Sequence, residues 1–237
     1  SKLADSKPAS TRSGRTLAEQ VYEAIKSDLL TGALPAGAGL LTRDLLERYG
    51  CGISPLREAL ARLVGEHFLE TESQRGVRVP MPSVQDVDDV YRIRIALERE
   101  ALALSIAQGD DVWEGDIVAA CHRLERAPLP GPSQGGGDSV ADWEARHRGF
   151  HASLIAAAPA PRLLRLIDQM VDQTERYRAI RLAHVEQAIL SRDIIAEHRQ
   201  LMELVIARDP ACIDRLAEHL DETRQVVVKV LKAKEPA

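Results

Sequence analysis

The sequence predicts a mainly α-helical protein in two parts, an N-terminal winged helix-turn-helix followed by an all-α helical bundle. Apolar residues recur at helical spacing through most of the chain, and the strand-like stretch FLETESQRGVRVP at 68–80 comes directly after three helical segments. From residue 81 onward every patterned segment is helical. The expected division is a disordered arm at 1–15, the winged helix-turn-helix at 16–80 and the bundle at 81–237.

The composition is that of an ordinary globular protein. Of the 237 residues, 45% are hydrophobic and 3% aromatic, so the core must be built from Leu, Ile, Val and Ala. No apolar run is long enough to span a bilayer, and the first residues lack the apolar region of a signal peptide. The scattered Cys51, Cys121 and Cys212 predict a cytoplasmic protein with reduced thiols rather than a disulfide framework.

The charge is divided unevenly along the chain. The net charge is −5, but residues 1–80 carry 11 Lys/Arg against 10 Asp/Glu, which leaves 20 against 26 for residues 81–237. An acidic protein is a poor general binder of nucleic acid. The near-neutral first part is therefore where a nucleic-acid-binding site is to be sought, although it is hardly a strong basic patch.

The first part begins with three predicted helices. Thr16 and Glu19 form a capping-box pattern that opens a helix ending at Gly32. After a Pro/Gly-rich connection, a short helix runs from Thr42 to Tyr49 and ends at Gly50. The third helix is predicted to start with Ser54 as N-cap and Pro55 as its first residue, and to run to about residue 67. A β-hairpin with Gly76 in its tip completes the winged helix-turn-helix.

The second part is predicted to contain six helices. Ser83 caps the first, Gly109 closes it, and Asp209 is the expected N-cap of the last. The glycines of APLPGPSQGGGDS at 127–139 predict a connector, because no Gly-Lys-Ser/Thr follows and no strand precedes them. The expected helices are 84–108, 110–126, 140–157, 161–184, 187–208 and 211–233.

Several stretches of the first part resemble the DNA-binding domain of the GntR family of bacterial repressors. They are LAEQVYEAIKSDLLTGAL, GLLTRDLLERYGCGISPLREALARLVGEHFLE and QRGVRV, of which SPLREAL and the wing glycine are the most specific. The resemblance implies a recognition helix in the major groove and a wing tip in the minor groove. The implied DNA-binding residues are Arg43, Gly52, Ser54, Arg57, Arg75 and Gly76.

Two of these positions differ from the family pattern. Gly52 and Ile53 stand where the family usually has Ser/Thr-Arg, so one familiar base-reading arginine is missing. Arg57 lies in the first turn of the recognition helix, where its guanidinium suits bidentate contact with guanine. Its alternative role is a solvated or ion-paired arginine on the helix surface.

Four histidines are placed on apolar faces of the second part. His147 and His151, in HRGFH, are four residues apart on one helix face, and His198 and His219 align with the apolar stripes of two further helices. A single histidine on such a face is usually a hydrogen-bonded core residue. Four of them could instead bind a divalent metal, for which zinc or nickel suits imidazole ligands best.

The second part also resembles the FCD effector domain of FadR-like GntR regulators, through RIALE, FHASL, EHRQL and AEHL. Many FCD domains bind a divalent metal through one aspartate and three histidines. The histidine positions correspond to His151, His198 and His219, and the aspartate position is His147 here. The resemblance implies a small carboxylate effector with Arg94 as its charge partner. A salt bridge from Arg94 to Glu98, at i+4, is the alternative.

The combined expectation is a metabolite-responsive transcriptional regulator that binds a palindromic operator as a homodimer. One alternative is a metal-dependent hydrolase that uses the same histidines, although Arg148 stands where an HExxH protease needs its glutamate. The other is a metal-free regulator with a larger apolar effector and purely structural histidines.

Overall fold

A computed structural model describes residues 15–72, 76–128, 137–182 and 193–233 of the chain. The predicted fold class is confirmed, since the described residues form helices and one small sheet. They fall into two compact units that divide after Pro80, here called the N-terminal unit and the helical unit. The predicted arm lies almost wholly outside the described residues. No helix in the described ranges is both long and apolar enough to cross a membrane.

The N-terminal unit consists of three helices and a three-stranded sheet. Its fully buried core side chains include Ile25, Leu56, Leu63 and Phe68. The elements are α1 (Leu17–Thr31), β1 (Gly39–Leu40), α2 (Thr42–Tyr49), α3 (Ile53–Gly65), β2 (Glu70–Glu72) and β3 (Gly76–Arg78).

Both ends of α1 are as the sequence predicts. The Thr16 hydroxyl accepts a hydrogen bond from the Glu19 amide at 3.1 Å, and the Glu19 carboxylate accepts one from the Thr16 amide at 2.7 Å. These two bonds form a capping box, which satisfies backbone donors that the first turn leaves open. The helix ends at Gly32, whose φ of 79° lies in the left-handed region that glycine adopts without strain.

The start of α3 differs from the prediction. The N-cap is Gly52, in extended conformation and without a side-chain cap, and the helix begins at Ile53. Ser54 and Pro55 therefore lie inside the first turn, so the predicted Ser54 N-cap is wrong. Pro55 is tolerated there because the amide that it lacks has no intrahelical partner in the first turn.

The sheet contains a strand that the sequence pattern did not reveal. The strand order is β1-β3-β2, all antiparallel, with Leu40 opposite Val77 and Glu72 opposite Gly76. Strand β1 is two residues long and lies in the connection that the Pro/Gly content predicted to be irregular. Gly76 belongs to β3 rather than to the tip of the hairpin, and residues 73–75 lie outside the described residues.

The helical unit is built around a long first helix. Helix α4 packs against α6, α7 and α9, and Leu102, Ile117, Phe150 and Leu154 are among the fully buried side chains of the common core. The elements are α4 (Val84–Gln108), α5 (Asp111–Glu125), α6 (Gly137–Ile155), α7 (Pro161–Leu182), α8 (Ile194–Ile206) and α9 (Ala211–Lys232).

Three boundaries of this unit differ from the predictions. Helix α6 begins at Gly137, inside the predicted connector, and residues 129–136 lie outside the described part of the chain. Helix α8 begins at Ile194 with Asp193 as N-cap, and 183–192 are not described. The N-cap of α9 is Pro210, not Asp209. Asp209, one position before the N-cap, still accepts a hydrogen bond from the Ala211 amide at 2.9 Å. It therefore satisfies one of the backbone donors of the first turn.

Candidate metal centre and DNA-reading surface

The four histidines singled out in the sequence lie together inside the helical unit. His147 and His151 come from α6, His198 from α8 and His219 from α9. One ring nitrogen of each lies within 4.8 Å of a nitrogen of every other, and their exposed fractions are only 2–9%. We call these four residues the histidine cluster. Helical periodicity thus placed all four on interior faces that the fold brings to one point.

Aromatic packing fixes the orientation of the cluster. The Trp143 indole stacks on His147, with ring centroids 4.7 Å apart and planes inclined by 17°. Phe150, fully buried, meets His151 and His198 edge-on at 5.5 and 5.2 Å. Rings held by such contacts lose little further freedom when they bind a ligand, so the cluster is preorganised.

A carboxylate sets the hydrogen position on one of the histidines. His219 Nδ1 lies 2.9 Å from Glu197 Oε2, and Arg215 stands 3.8 Å from the same oxygen. An ionised carboxylate only accepts hydrogen bonds, so in the neutral imidazole of His219 this contact favours the tautomer with the hydrogen on Nδ1 and the lone pair on Nε2. A carboxylate behind an imidazole in this way is typical of histidines that bind metals.

The donor set fits a divalent metal with a preference for nitrogen. Four neutral imidazoles suit zinc, nickel or copper better than magnesium or calcium, which prefer oxygen. With bonds of about 2.0–2.1 Å to one ion, the widest nitrogen pairs would lie closer together than they do in this structure. With His147 in place of a carboxylate, none of the four donors would offset the charge of the ion.

A cavity of about 250 Å³ opens beside the histidine cluster. His147 and His151 form part of its wall, together with the charged side chains Arg94, Glu98 and Arg148. The remaining wall is mostly aliphatic, from Ala152, Ile155, Ala156, Leu164, Ile167 and Val171, with Asp168 the remaining lining residue. A small cavity that combines an apolar wall with a few charged groups is typical of a metabolite site.

Arg94 forms the salt bridge that the sequence left as an alternative. Its Nε donates to Glu98 Oε1 at 2.6 Å and its Nη1 donates to the Thr174 hydroxyl at 2.8 Å. The side chains of Arg94 and Glu98 are 3% and 1% exposed. Burial lowers the pKa of Arg94, but Glu98, Tyr91 and Glu175 together raise it by more, so the guanidinium is charged. Arg94 therefore lines the cavity as half of a buried ion pair.

Arg148 lies on α6 between His147 and His151, and it links this helix to α7. Its guanidinium contacts Asp172 at 2.6 Å, Asp168 at 2.9 Å and Glu175 at 3.2 Å. Burial lowers the pKa of Arg148, yet these carboxylates raise it well above its usual range. The position that holds the general base of an HExxH protease is thus filled by a permanent cation.

Four of the six predicted DNA-binding residues, Arg43, Gly52, Ser54 and Arg57, lie on the surface of the N-terminal unit. Gly52 is the exposed N-cap of α3, Ser54 is exposed in its first turn and Arg57 is exposed directly after that turn. Arg43 on α2 is 85% exposed and lies 3.2 Å from Asp44. No ion pair holds Arg57 within the described residues. By contrast, other arginines of this unit are engaged: Arg48 with Asp28, Arg62 with Glu66 and Arg78 with Glu72.

The wing is described in part. Arg75 lies outside the described residues, whereas Gly76 has a φ of 109° and starts β3. A Cβ at Gly76 would lie 2.6 Å from the backbone oxygen of Leu40. The glycine is therefore required by the approach of β1 to β3, a structural reason independent of any contact with a groove.

Sequence reasoning missed three contributors to the site. Glu197 precedes His198 by one residue, and the repeated AEH of α8 and α9 was a signal that carboxylates accompany these histidines. The acidic stripe Asp168, Asp172 and Glu175 of α7 has i, i+4, i+7 spacing, which could have indicated a cationic neighbour. Thr174 gave no local signal, because its partner Arg94 is 80 positions away.

Two family models match the chain. The model described as "Bacterial regulatory proteins, gntR family" matches residues 17–79, and the FCD domain model matches residues 89–222. The matches cover the N-terminal unit and most of the helical unit.

Individual proteins resemble the chain over most of its length. The uncharacterized HTH-type transcriptional regulator BphR of Paraburkholderia xenovorans is 34% identical, over 95% of this chain and 91% of BphR. The HTH-type transcriptional repressor GlaR of Escherichia coli is 32% identical, over 84% of this chain and 90% of GlaR. The solved structure of E. coli McbR/YncC is 25% identical, with a TM-score of 0.74 over 91% of this chain and 99% of that protein. These similarities point to a regulator rather than an enzyme.

Proposed function

Because the chain belongs to the gntR family of bacterial regulatory proteins and carries an FCD domain, it is a DNA-binding transcriptional regulator, and we propose the details of its operator and effector as follows. The regulator is a cytoplasmic homodimer of the FadR-like subgroup that binds a palindromic operator. Its helical unit binds a divalent metal and a small carboxylate effector, and effector binding changes DNA affinity.

The exposed N-terminal part of α3 supports the assignment of the DNA-reading residues. Arg57 is exposed there without an ion pair in the described structure, whereas Arg62, farther along the same helix, contacts Glu66 at 2.8 Å. A free guanidinium near the N-terminal end of a recognition helix can reach a guanine edge. Ser54 and Arg43 contribute contacts to phosphate or bases, and Gly52 and Ile53 leave one base pair less strictly specified.

The observation that carries the effector function is the histidine cluster at the wall of the cavity. A metal held there by neutral ligands keeps its full positive charge, which favours an anionic ligand at the adjacent cavity. Arg94 and Arg148 add cationic groups to the same wall, each already partnered by carboxylates. A small carboxylate matches both the charge and the volume of the space.

Metal analysis of protein purified without a histidine tag tests the metal. We expect about one zinc or nickel ion per chain, and loss of the ion in His151→Ala. The exposed His122, replaced by Ala, is the matched control that should retain it. Absence of bound metal at neutral pH, together with an unchanged melting curve in chelator, would refute the site.

Selection of bound DNA from a random pool tests the operator. A two-fold dimer presents its α3 helices symmetrically, so the selected sites should be short inverted repeats. Sedimentation with and without the selected DNA should show a dimer. Monomeric protein under both conditions, or selected sites without symmetry, would contradict the proposal.

A further inference from the structure

An aliphatic side chain is exposed at the start of α3, on the proposed DNA-reading surface. Ile53 is the first residue of this helix, and its exposed fraction is 45%. It is not among the residues that form the core of the N-terminal unit in the described part of the chain. Branching at Cβ also makes isoleucine a weaker helix former than alanine or leucine. Neither packing nor helix formation therefore accounts for an isoleucine at this position.

The neighbours of Ile53 connect its exposure with DNA. It lies between the exposed Gly52 and Ser54 and four residues before Arg57, a spacing that places Ile53 and Arg57 beside each other on the helix surface. The N-terminal end of a recognition helix is the part that contacts base edges in the major groove. Single exposed apolar residues are common on protein surfaces. At this end of this helix, however, bound DNA brings the groove against the side chain.

The residue before Ile53 leaves the approach to the groove open. Gly52 has a φ of −81°, which any residue adopts, and a Cβ there would have Pro55 Cδ as its nearest neighbour, at 3.8 Å. The fold therefore does not require glycine at this position. A residue without a side chain lets the backbone come close to a ligand. Ile53 can then reach the base edges without obstruction from the residue that precedes it.

The chemistry of the groove determines the partner of an aliphatic side chain. Ile53 forms no side-chain hydrogen bonds, so phosphate oxygens and the polar atoms of the base edges offer it nothing. The 5-methyl group of thymine is the apolar group that base pairs present in the major groove. Contact between the two removes apolar surface from water. The branched Cβ restricts the side chain to few orientations, so little conformational freedom is lost on contact.

We infer that Ile53 contacts the 5-methyl group of a thymine in each half-site of the operator and so determines specificity at that base pair. The inference rests on the proposed DNA-reading surface and adds a residue to it. A methyl contact discriminates less than a bidentate hydrogen-bonded pair, in agreement with the less strict specification of one base pair proposed above.

Duplexes that differ by one methyl group per half-site test this contact with the full-length wild-type protein. Operator DNA is selected from a random pool, and each thymine is then replaced in turn by deoxyuridine, symmetrically in both half-sites. At one position the affinity should fall about 3- to 5-fold per half-site, as expected for one buried methyl group, and about 10- to 25-fold for both together.

A second pair of duplexes separates the methyl group from the hydrogen-bonding pattern of the base. At the position so identified, 5-methylcytosine should bind more tightly than cytosine by a similar factor, because the two differ only in the methyl group. A selected half-site without a defined thymine, or affinities within about threefold in both comparisons, would overturn the inference.

Ile53→Ala tests the residue itself. Because Ile53 is exposed, this variant should keep the wild-type melting curve, while its preference for thymine over deoxyuridine should fall to within about threefold. Ile53→Val, which keeps the branched Cβ, should show an intermediate preference. Leu41→Ala is the matched control, since Leu41 is also 45% exposed and stands at the N-cap of α2. It should keep the wild-type preference at this position. A full thymine preference in Ile53→Ala would refute the role of Ile53.

The selection and the methyl comparison separate this inference from the proposed operator. If the protein selects an inverted repeat in which no thymine methyl group affects binding, the operator stands and only the inference about Ile53 falls. If no sequence is selected from the pool, the proposed DNA-reading surface and the inference fall together.

Discussion

The two units of the molecule present their candidate functional residues in opposite ways. In the N-terminal unit Arg43, Ser54 and Arg57 extend into solvent. In the helical unit the four histidines and Arg94 are all at most 9% exposed and contact one another or the core. The first arrangement suits a large, rigid, charged partner that comes to the surface. The second suits a small partner that the fold encloses.

This difference has a consequence for energetics. A solvent-exposed arginine contributes little to folding, so its replacement should change DNA affinity alone. A buried ion pair or metal cluster is part of the core, so ligand binding and the stability of the helical unit are linked. The following predictions test this contrast, beginning with the largest expected effect.

Replacing Arg94 with Met should be the most damaging of these changes. It leaves the buried Glu98 carboxylate unpaired, which typically costs about 3–5 kcal/mol of the free energy of unfolding. Arg99→Met, on the same helix, removes a more exposed ion pair with Asp214 and should cost at most about 1 kcal/mol. Denaturant unfolding, with hydrogen exchange to separate the two units, measures both. Equal losses in the two variants would contradict the contrast.

Metal should stabilise the helical unit and leave the N-terminal unit unchanged. A metal that binds only the folded unit contributes about 4 kcal/mol when its free concentration is a thousandfold above the dissociation constant. Chelator should therefore lower the melting temperature, and His198→Ala should remove most of the metal-dependent shift. Protons compete with metal for imidazole, so metal affinity should weaken as the pH falls below roughly 6.5. An equal metal-dependent shift in His198→Ala would contradict the prediction.

Gly76→Ala should destabilise the N-terminal unit by about 1–3 kcal/mol, because alanine is strained at positive φ and its Cβ would meet the Leu40 carbonyl. Gly65→Ala is the control in the same unit, since a Cβ there meets nothing within 4 Å. It should be neutral or slightly stabilising. Thermal melts of the two variants measure the difference, and a fully stable Gly76→Ala protein would mean that β1 does not approach β3 so closely.

Arg57→Ala should weaken binding to the selected operator by about 1–3 kcal/mol without a change in the free energy of unfolding. Fluorescence anisotropy with labelled operator, at fixed salt concentration, gives the affinity. Glu58→Ala, the exposed neighbour on α3, controls for general changes of the helix surface. Operator binding by Arg57→Ala equal to that of the wild type would remove Arg57 from the DNA-reading surface.

The smallest expected effect is a difference in reactivity between the half-buried Cys51 of the N-terminal unit and the buried Cys121 and Cys212 of the helical unit. Burial, with help from Glu125, raises the pKa of Cys121 to about 11, and burial also raises the pKa of Cys212. A raised pKa keeps the thiol protonated and unreactive at neutral pH. The half-buried Cys51 should therefore react first with a thiol reagent at pH 8. Labelling of Cys121 in the native protein as fast as that of Cys51 would contradict this prediction.

The predictable parts of this fold are those with a local cause. The capping box at Thr16 and the helix end at Gly32 each depend on residues within four positions, and the sequence predicted both. Strand β1 was missed because two residues carry no periodicity, and only their pairing with β3 makes them a strand. The Ser54 cap was wrong because the tight turn before α3 lets the backbone of Gly52 take the cap position instead.

The same distinction applies to the candidate site. Helical spacing predicted that the four histidines face the interior, because that property is local to each helix. It could not predict which carboxylate lies behind His219, or that Arg94 meets Thr174. Those contacts depend on how separate helices pack, and their role in ligand binding stays a prediction.

The stack of Trp143 on His147 gives the histidine cluster an optical signal of its own. Indole emission is sensitive to a charge or an open-shell ion at the next ring, and Trp143 lies 4.7 Å from the imidazole. The second tryptophan, Trp113, also lies in the helical unit, where its ring nitrogen donates to the Ser153 carbonyl. The chain has no other tryptophan. The tryptophan fluorescence therefore comes from the helical unit alone, so occupancy of the cluster can be followed without a label.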